Sequence, residues 1–215
     1  FGSSESLNFV KIGKIILGID EPTSTQSVIL LKYLLPRVLM AIFAGAALAI
    51  AGALMQGSLG NPLVSPLTLG VASGASLGAA LAIILGFSVV GTDFSLFGLP
   101  FAEIIPNTII VFNTFAFALI VVFIIIKLGE FRGISAESYI LVGIAITFIN
   151  GAIVQSLVYF ATPQQLAQLT HWSFGSVRRP DLETVLFVGV VLGIVFPILI
   201  RYSWDLNTLA LGGDD

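Results

Sequence analysis

The sequence contains no cysteine, one histidine and few charged residues. Charged residues make up 10% of the 215 residues, whereas about 25% is usual in a soluble domain. The absence of cysteine excludes a disulfide scaffold and a thiolate metal site, and one histidine leaves no zinc constellation. The nine Lys and Arg residues are scattered, so they build no face that could bind the phosphates of a nucleic acid. We therefore expect no metal, no cofactor and no nucleic-acid partner.

Hydrophobic residues dominate what is present. They make up 57% of the chain, and the mean hydropathy is +1.06. The 17 Phe residues and the aliphatic runs exclude a disordered chain. This composition is typical of a polytopic membrane protein, so we expect localisation in the cell membrane (inner or plasma membrane) with several passes.

Long stretches without charge map the membrane spans. No Asp, Glu, Lys or Arg occurs between Arg37 and Asp93, and three shorter gaps follow. A helix needs about 20 mostly apolar residues to cross about 30 Å of hydrocarbon. The first gap is long enough for two spans, with a break at Asn61-Pro62 and Ser65-Pro66. We predict an all-α helical bundle with about five spans, at residues 36–55, 67–87, 105–126, 139–160 and 183–200.

The two ends of the chain differ from the apolar region at 36–200. Residues 1–35 mix charged and apolar side chains, which is typical of an amphipathic segment at the membrane surface. They do not have the basic-then-apolar order of a signal peptide. Residues 201–215 are polar and glycine-containing. We expect the chain to be part of a longer protein.

Small residues recur at every fourth position of two predicted spans. Gly70, Gly74 and Gly78 begin one such stripe, which continues through Ala82 and Gly86. Small residues at this spacing let helix backbones approach closely in lipid. Two interpretations stay open, tight helix packing and a path for a substrate along the stripe. A matching stripe on the first span consists of Ala41, Gly45, Ala49 and Ala53.

The polar residues within and beside the spans are neutral. Asn150 lies inside the fourth span, and Gln56 and Asn61 lie near the end of the first. These side chains are expected to form hydrogen bonds between helices or to contact a ligand. Carriers driven by protons or sodium ions usually have an ionisable residue at mid-membrane. None is present here, so energy for uphill transport would have to come from another polypeptide.

One string imitates a catalytic motif. The residues from Gly74 to Gly78 match the nucleophile elbow, but that motif needs a turn from strand to helix. The only histidine, His171, lies in a separate polar stretch. No phosphate-binding Gly-x-x-x-x-Gly-Lys-Ser/Thr loop occurs. We expect that the chain is not an enzyme.

Several strings resemble the FecCD-like permeases, the membrane subunits of ABC importers for iron–siderophore complexes, haem and cobalamin. The most specific is LPRVLMAIFAGAALAIAGALMQGSLGNPLVSPLTLGVASGASLGAALA, residues 35–82. YILVGIAITFINGAIVQSLVYF resembles that family's "LLLAGIAL" helix, and QLAQLTHWSFGSV its external "QLxxxxxWxxGS" segment. LNTLALGGDD resembles the start of its cytoplasmic "LNxLxLGxxxAxxLG" element. The resemblance implies the fold of type II ABC importer permeases, of which this chain would hold the second to sixth spans.

The resemblance also implies partners and roles for particular residues. A permease of this kind forms a homodimer, binds an ATP-hydrolysing subunit in the cytoplasm and receives an extracytoplasmic substrate-binding protein. Arg37 matches a docking position for the binding protein, and Lys32 could substitute for a second arginine that is Leu34 here. Residues 1–35 would then be external, and residues 201–215 would begin the cytoplasmic coupling element. Its coupling residues would be Leu209, Leu211, Gly212 and Asp214.

The charges contradict this orientation. By the positive-inside rule the side richer in Lys and Arg is cytoplasmic, and the side that the resemblance makes external carries more of them. We follow the resemblance, because early segments that are absent here dominate that rule. Two further hypotheses stay open, an independent carrier or channel and a membrane scaffold that transports nothing.

Overall fold

The computed structural model describes residues 9–16, 19, 24–89, 95–96, 99–100, 108–132, 135–175, 182–204 and 208. Nearly all of them are helical, which confirms the predicted all-α class. Two short strands, β1 (Ser95–Leu96) and β2 (Leu99–Pro100), pair antiparallel with Leu96 opposite Leu99. The helices are α1 (Phe9–Ile16), α2 (Ser24–Val28), α3 (Leu35–Leu59), α4 (Val71–Leu85), α5 (Thr108–Arg132), α6 (Ala136–Tyr159), α7 (Pro163–Ser173) and α8 (Leu182–Arg201).

The chain divides into two compact units. The first combines Phe1–Gly45 with Val177–Gly193, and the second combines Ala46–Ser176 with Ile194–Asp215. In the first unit, Gly189 of α8 lies against the ring of Phe43, whose Cε2 atom would be 2.9 Å from a Cβ built on the glycine. In the second unit, α4 packs against α5, α6 and α7.

Four of the described helices are long and apolar enough to cross a membrane, which confirms an integral, multi-pass membrane protein. A fifth apolar helix, α4, has 15 residues, so at 1.5 Å per residue it is about 22 Å long. It is therefore shorter than the hydrocarbon core of a bilayer, which is about 30 Å thick. The four long helical segments are Thr25–Leu59, Ile109–Leu128, Glu137–Tyr159 and Leu182–Arg201.

The helix that contains the first predicted span begins well before Pro36. A π-helical segment, Ile29–Leu34, joins α2 to α3 without a break, and the Leu35 N–H donates to the Leu30 carbonyl at its end. A proline inside an α-helix removes one hydrogen bond and clashes with a preceding carbonyl. The wider π turn accommodates Pro36 without ending the helix. The helix therefore extends N-terminally beyond residue 36, where the predicted span begins, and the bound of that span stays a prediction.

Glycines with positive φ end α3 and delimit α4. Gly60 (φ +56°) follows α3, and the Asn61 N–H donates to the Gln56 carbonyl at 3.2 Å. This is the Schellman arrangement, which needs a left-handed residue after the helix. Gly70 (φ +77°) precedes α4 and Gly86 (φ +64°) follows it. The second predicted span, 67–87, thus contains α4 and the turns beside it.

Two apolar clusters form the core of the second unit. One joins the C-terminal half of α4 to α7 and consists of Ala79, Ala80, Ile83, Ile84 and Leu169. The other joins the turns after α3 to α5 through Val64, Leu69, Val121 and Ile125, and Val64 is fully buried. Between them the clusters surround α4, which is why most of its residues are buried.

Candidate functional site

The glycines of the α4 stripe lie against the backbone of α5. A Cβ atom added to Gly74 would lie 2.8 Å from the Phe117 carbonyl oxygen and 2.6 Å from a methyl carbon of Val121. At Gly78 an added Cβ would overlap the Asn113 carbonyl oxygen. Real Cβ atoms do not approach this closely, so only glycine permits the observed separation of the two helices. Both glycines are buried at this contact.

Gly70 occupies the corresponding place against α6. An added Cβ would lie 2.8 Å from the Gly143 carbonyl oxygen and 3.1 Å from Thr147 Oγ1. Gly143 in turn faces the backbone of Thr68 and Leu69, with its own hypothetical Cβ 2.6 Å from Leu69 Cα. The positive φ of Gly70 adds a second reason why a side chain is not accommodated there.

Asn150 joins α6 to α4 through a short polar chain. Its Nδ2 donates to Ser73 Oγ at 3.0 Å, and Ser73 Oγ donates to the Gly70 carbonyl at 2.7 Å. The Asn150 side chain is buried. Asn150 and Gly70, which are 80 positions apart in the sequence, are thus brought into one cluster with Gly74 one turn away.

Gln56 in the last turn of α3 and Asn61 just after the helix both stabilise the turn that follows α3. Gln56 Nε2 donates to the Pro62 carbonyl at 3.1 Å. Asn61 Oδ1 accepts from the Leu63 N–H at 2.9 Å, which is an Asx turn. Their side-chain bonds are local, so this pair is separate from the bonded cluster of Gly70, Ser73 and Asn150.

An apolar groove of about 600 Å³ lies between α3, α4, α5 and α6. Met55, Leu69, Val71 and Ile125 line it together with other apolar side chains, and Ser58 is among its few polar lining residues. None of the six predicted path residues lines it. Such a surface fits hydrocarbon or apolar side chains and offers no set of ligands for a polar solute. Among the described residues, no group of His, Asp and Glu could hold a metal ion.

The residues predicted to bind partner proteins are partly described. Lys32 lies in the π segment and Arg37 in the first turn of α3, and both side chains are exposed. Five positions separate them on one continuous helix. Leu209, Leu211, Gly212 and Asp214 lie outside the described residues.

Two functional side chains were not singled out as site residues from the sequence. Asn113 of α5 is fully buried, accepts from the Val89 N–H at 2.9 Å and donates to the Phe87 carbonyl at 2.5 Å. Gln165 of α7 donates to the Ile84 carbonyl at 3.0 Å. In the sequence, Asn113 stands out as a polar residue in an apolar run. The spacing of Thr162 and Gln165 indicates the capping-box role of Gln165. No sequence signal indicates the partner that either side chain binds in space.

The chain is similar to known membrane permeases, which agrees with its close-packed, neutral, membrane-length helices. The model of the FecCD transport family matches residues 1–215. The chain belongs to the FecCD transport family. This confirms the family that the sequence motifs resemble.

Two relatives are permease proteins by name. The molybdate import system permease protein MolB of Haemophilus influenzae is 34% identical over 215 residues, covering 96% of this chain and 57% of that protein. The hemin transport system permease protein HmuU of Yersinia pestis is 34% identical over 181 residues, covering 84% and 51%. The chain spans about half the length of the curated relatives that it matches.

One solved structure supports the same family at the level of the fold. It is described as "An inward-facing conformation of a putative metal-chelate type ABC transporter". It has a TM-score of 0.70 and 30% sequence identity to this chain, and the match covers 90% of this chain and 56% of that chain.

Proposed function

We propose that this chain forms part of the membrane permease subunit of a binding-protein-dependent ABC importer. The observation that carries the proposal is the family match over residues 1–215, supported by a fold match at a TM-score of 0.70. In this mechanism the protein undergoes alternating access and performs no covalent chemistry. ATP hydrolysis takes place in a partner subunit, and the substrate path lies at the interface of a permease homodimer.

The residues of the spans are consistent with an external source of energy. Between Arg37 and Asp93, and again between Glu103 and Lys127, no side chain with a formal charge occurs. A carrier coupled to protons or sodium ions would need an ionisable group near mid-membrane. Gly74 and Gly78 let α4 lie directly against the backbone of α5. Helices packed this closely would move together during alternating access.

We place the substrate among metal chelates such as iron–siderophore complexes, haem or cobalamin. The description of the solved structure names a metal-chelate type ABC transporter, and one relative is named as a hemin transport system permease. The molybdate relative has the same 34% identity as the hemin relative. Sequence identity in the permease therefore does not rank these substrates, and the binding protein carries most of the selectivity.

The division of the chain follows from the same proposal. Residues 1–35 lie outside the membrane, residues 36–200 contain the spans, and residues 201–215 begin the cytoplasmic coupling element. Lys32 and Arg37 receive acidic residues of the binding protein. Leu209, Leu211, Gly212 and Asp214 contact the ATP-hydrolysing subunit, and Gln56, Asn61 and Asn150 lie near the path.

Reconstitution tests the function. The gene product that contains this chain is co-purified with its neighbouring ATPase and binding protein, placed in liposomes and assayed for uptake of ferric siderophore, haem and cobalamin. We expect uptake that requires both ATP and the binding protein. Uptake without ATP would favour an independent carrier or channel. Partner binding with no uptake of any solute would favour a scaffold.

A charge reversal tests the docking residues. Arg37→Glu is expected to weaken binding of the binding protein by about tenfold, or about 1.4 kcal/mol, because an exposed attractive charge becomes repulsive. Arg201→Glu, at the exposed end of α8 and on the proposed cytoplasmic side, is the control. Equal binding by both variants in surface plasmon resonance would exclude Arg37 from the interface.

A further inference from the structure

Gln165 makes two kinds of hydrogen bond at once. Its Oε1 atom accepts from the Thr162 N–H at 2.9 Å and from Thr162 Oγ1 at 3.1 Å. These bonds belong to the capping box that begins α7, in which the Gln165 N–H also donates to Thr162 Oγ1. Its Nε2 atom donates to the Ile84 carbonyl at 3.0 Å, 81 positions away in the sequence. The first set stabilises α7, and the last bond connects α7 to α4.

The Ile84 carbonyl is a group that needs an outside partner. It lies in the last turn of α4, where helix carbonyls have no N–H within the helix to bind. The Phe87 N–H, three positions after Ile84, donates to the Leu81 carbonyl instead. Gln165 therefore supplies a side-chain donor to a carbonyl at the end of α4.

Apolar contacts continue the same connection along α7. Leu169, one turn after Gln165, is 8% exposed and packs with Ala80, Ile83 and Ile84. Trp172 packs against the same cluster. Gln164 and Gln168 of the same helix are exposed. One face of α7 is thus fixed to the end of α4 by one polar bond and two apolar side chains.

We propose that Gln165 is a positioning residue that fastens α7 to the end of α4, so that the two helices move as one unit. The QLxxxxxWxxGS string then has a physical meaning here, because Gln165 bonds the α4 carbonyl and Trp172 packs beside it. That α7 lies on the outer side of the membrane rests on the proposed function. The attachment of α7 to α4 does not.

The Gln165→Glu variant separates the two roles of this side chain. A carboxylate at this position still accepts from Thr162, so the capping box stays. It has no N–H for the Ile84 carbonyl and places a negative charge beside an oxygen, so the connection to α4 is lost. Gln168→Glu adds the same charge to an exposed position of the same helix and is the matched control.

Tryptophan fluorescence reports the attachment. The sequence has two Trp residues, so a Trp204→Phe background leaves Trp172 as the only emitter. At pH 7.5 we expect the Gln165→Glu variant to show red-shifted emission and increased acrylamide quenching, because Trp172 leaves its apolar contacts. The Gln168→Glu control is expected to match the Trp204→Phe background protein. Far-UV circular dichroism should give the same helix content in all three.

Acid pH should reverse the effect in the Gln165→Glu variant alone. Once protonated, the introduced carboxyl group has an O–H that can donate to the Ile84 carbonyl, so quenching at pH 3.5, below the usual glutamate pKa of about 4.3, is expected to return toward that of the parent. Among the described residues of α4, α6 and α7 near this contact, His171 and Tyr159 are the other titratable side chains. Both occur in all three proteins, so the controls contain them as well.

Three outcomes would overturn the proposal. They are quenching of the Gln165→Glu variant equal to that of the parent at pH 7.5, an equal change in the Gln168→Glu control, and no return at pH 3.5. If the Gln165→Glu variant does not fold, Leu169→Ala removes the apolar part of the same attachment, and unchanged Trp172 quenching there would also contradict it. The measurement uses the detergent-purified protein alone, so failed uptake in liposomes would refute the proposed function without altering this result.

Discussion

Two helices carry small residues at every fourth position, and their surroundings differ. In α4, Gly74, Gly78 and Ala82 are buried, and the two glycines lie against backbone atoms of α5. In α3, the residues of the corresponding stripe are not buried, and a Cβ added to Gly45 or Gly52 would meet no atom within 4 Å. The α3 stripe consists of Ala41, Gly45, Ala49 and Ala53.

The difference shows what such a pattern does and does not specify. Small residues remove the steric obstacle to close approach, but lipid supplies no hydrophobic force that brings helices together. A partner helix must therefore offer its own backbone and hydrogen bonds. For α4, the partners are α5 and α6, with Asn113 and Asn150 making bonds beside the contacts. For the α3 stripe, no such partner occurs among the described residues.

The largest expected effect comes from the same substitution made in both helices. Gly78→Ala should lower the free energy of unfolding by about 3 kcal/mol, at the upper end of overpacking effects, because the added methyl group meets the Asn113 backbone. Gly45→Ala, in the α3 stripe, should be neutral or raise it by up to about 1 kcal/mol, because alanine is the better helix former and the space is open. Unfolding of the purified protein by SDS, followed by circular dichroism, measures both.

Gly57→Ala, also in α3 and also in open space, is a second control for the sign of the effect. Equal losses of stability in the α3 and α4 variants would mean that the two stripes have the same role. The contrast between a partnered and an unpartnered stripe would then be wrong.

A smaller effect is expected at the end of α4 near Phe87. Asn113→Leu keeps a side chain of similar size but leaves the Val89 N–H and the Phe87 carbonyl without their partner. Unpaired buried backbone groups cost about 1–3 kcal/mol, and these two bonds are only partly buried, so we expect a loss near the lower end, about 1 kcal/mol. The SDS midpoint should fall, and hydrogen exchange at the Val89 amide should accelerate. Unchanged hydrogen exchange at Val89 would show that the Asn113 side chain does not stabilise residues 87–89.

The smallest effect is expected at the α4–α6 contact. Asn150→Leu removes one bond between two side chains, and such bonds in membrane proteins contribute about 0.6 kcal/mol on average. Ser73 Oγ keeps its bond to the Gly70 carbonyl, so no buried group loses its only partner. The same SDS titration should rank Asn150→Leu below Asn113→Leu. The reverse order would mean that the Asn150 bond to Ser73 contributes more to stability than the Asn113 bonds to Phe87 and Val89.

Particular residues show why part of the fold was predictable. The charge gaps located the apolar helices, because a charge inside hydrocarbon is costly wherever its helix packs. The continuation of the helix before Pro36 was not predictable, because the π segment that accommodates the proline depends on backbone geometry over several turns. The bound partners of Asn113 and Gln165 were not predictable either, since each lies on another segment more than 20 positions away.

The sequence by itself determined the class of protein and its family. Low charge, long apolar runs and the motifs of residues 35–82 are local properties, and each is visible in the sequence without knowledge of the tertiary contacts. Only the tertiary structure decided that the glycines of α4 face backbone while Gly45 and Gly52 of α3 face open space, and that Gln165 reaches the end of α4. Close approach and hydrogen bonding depend on which helices become neighbours, and neighbours are set by the packing of the whole second unit.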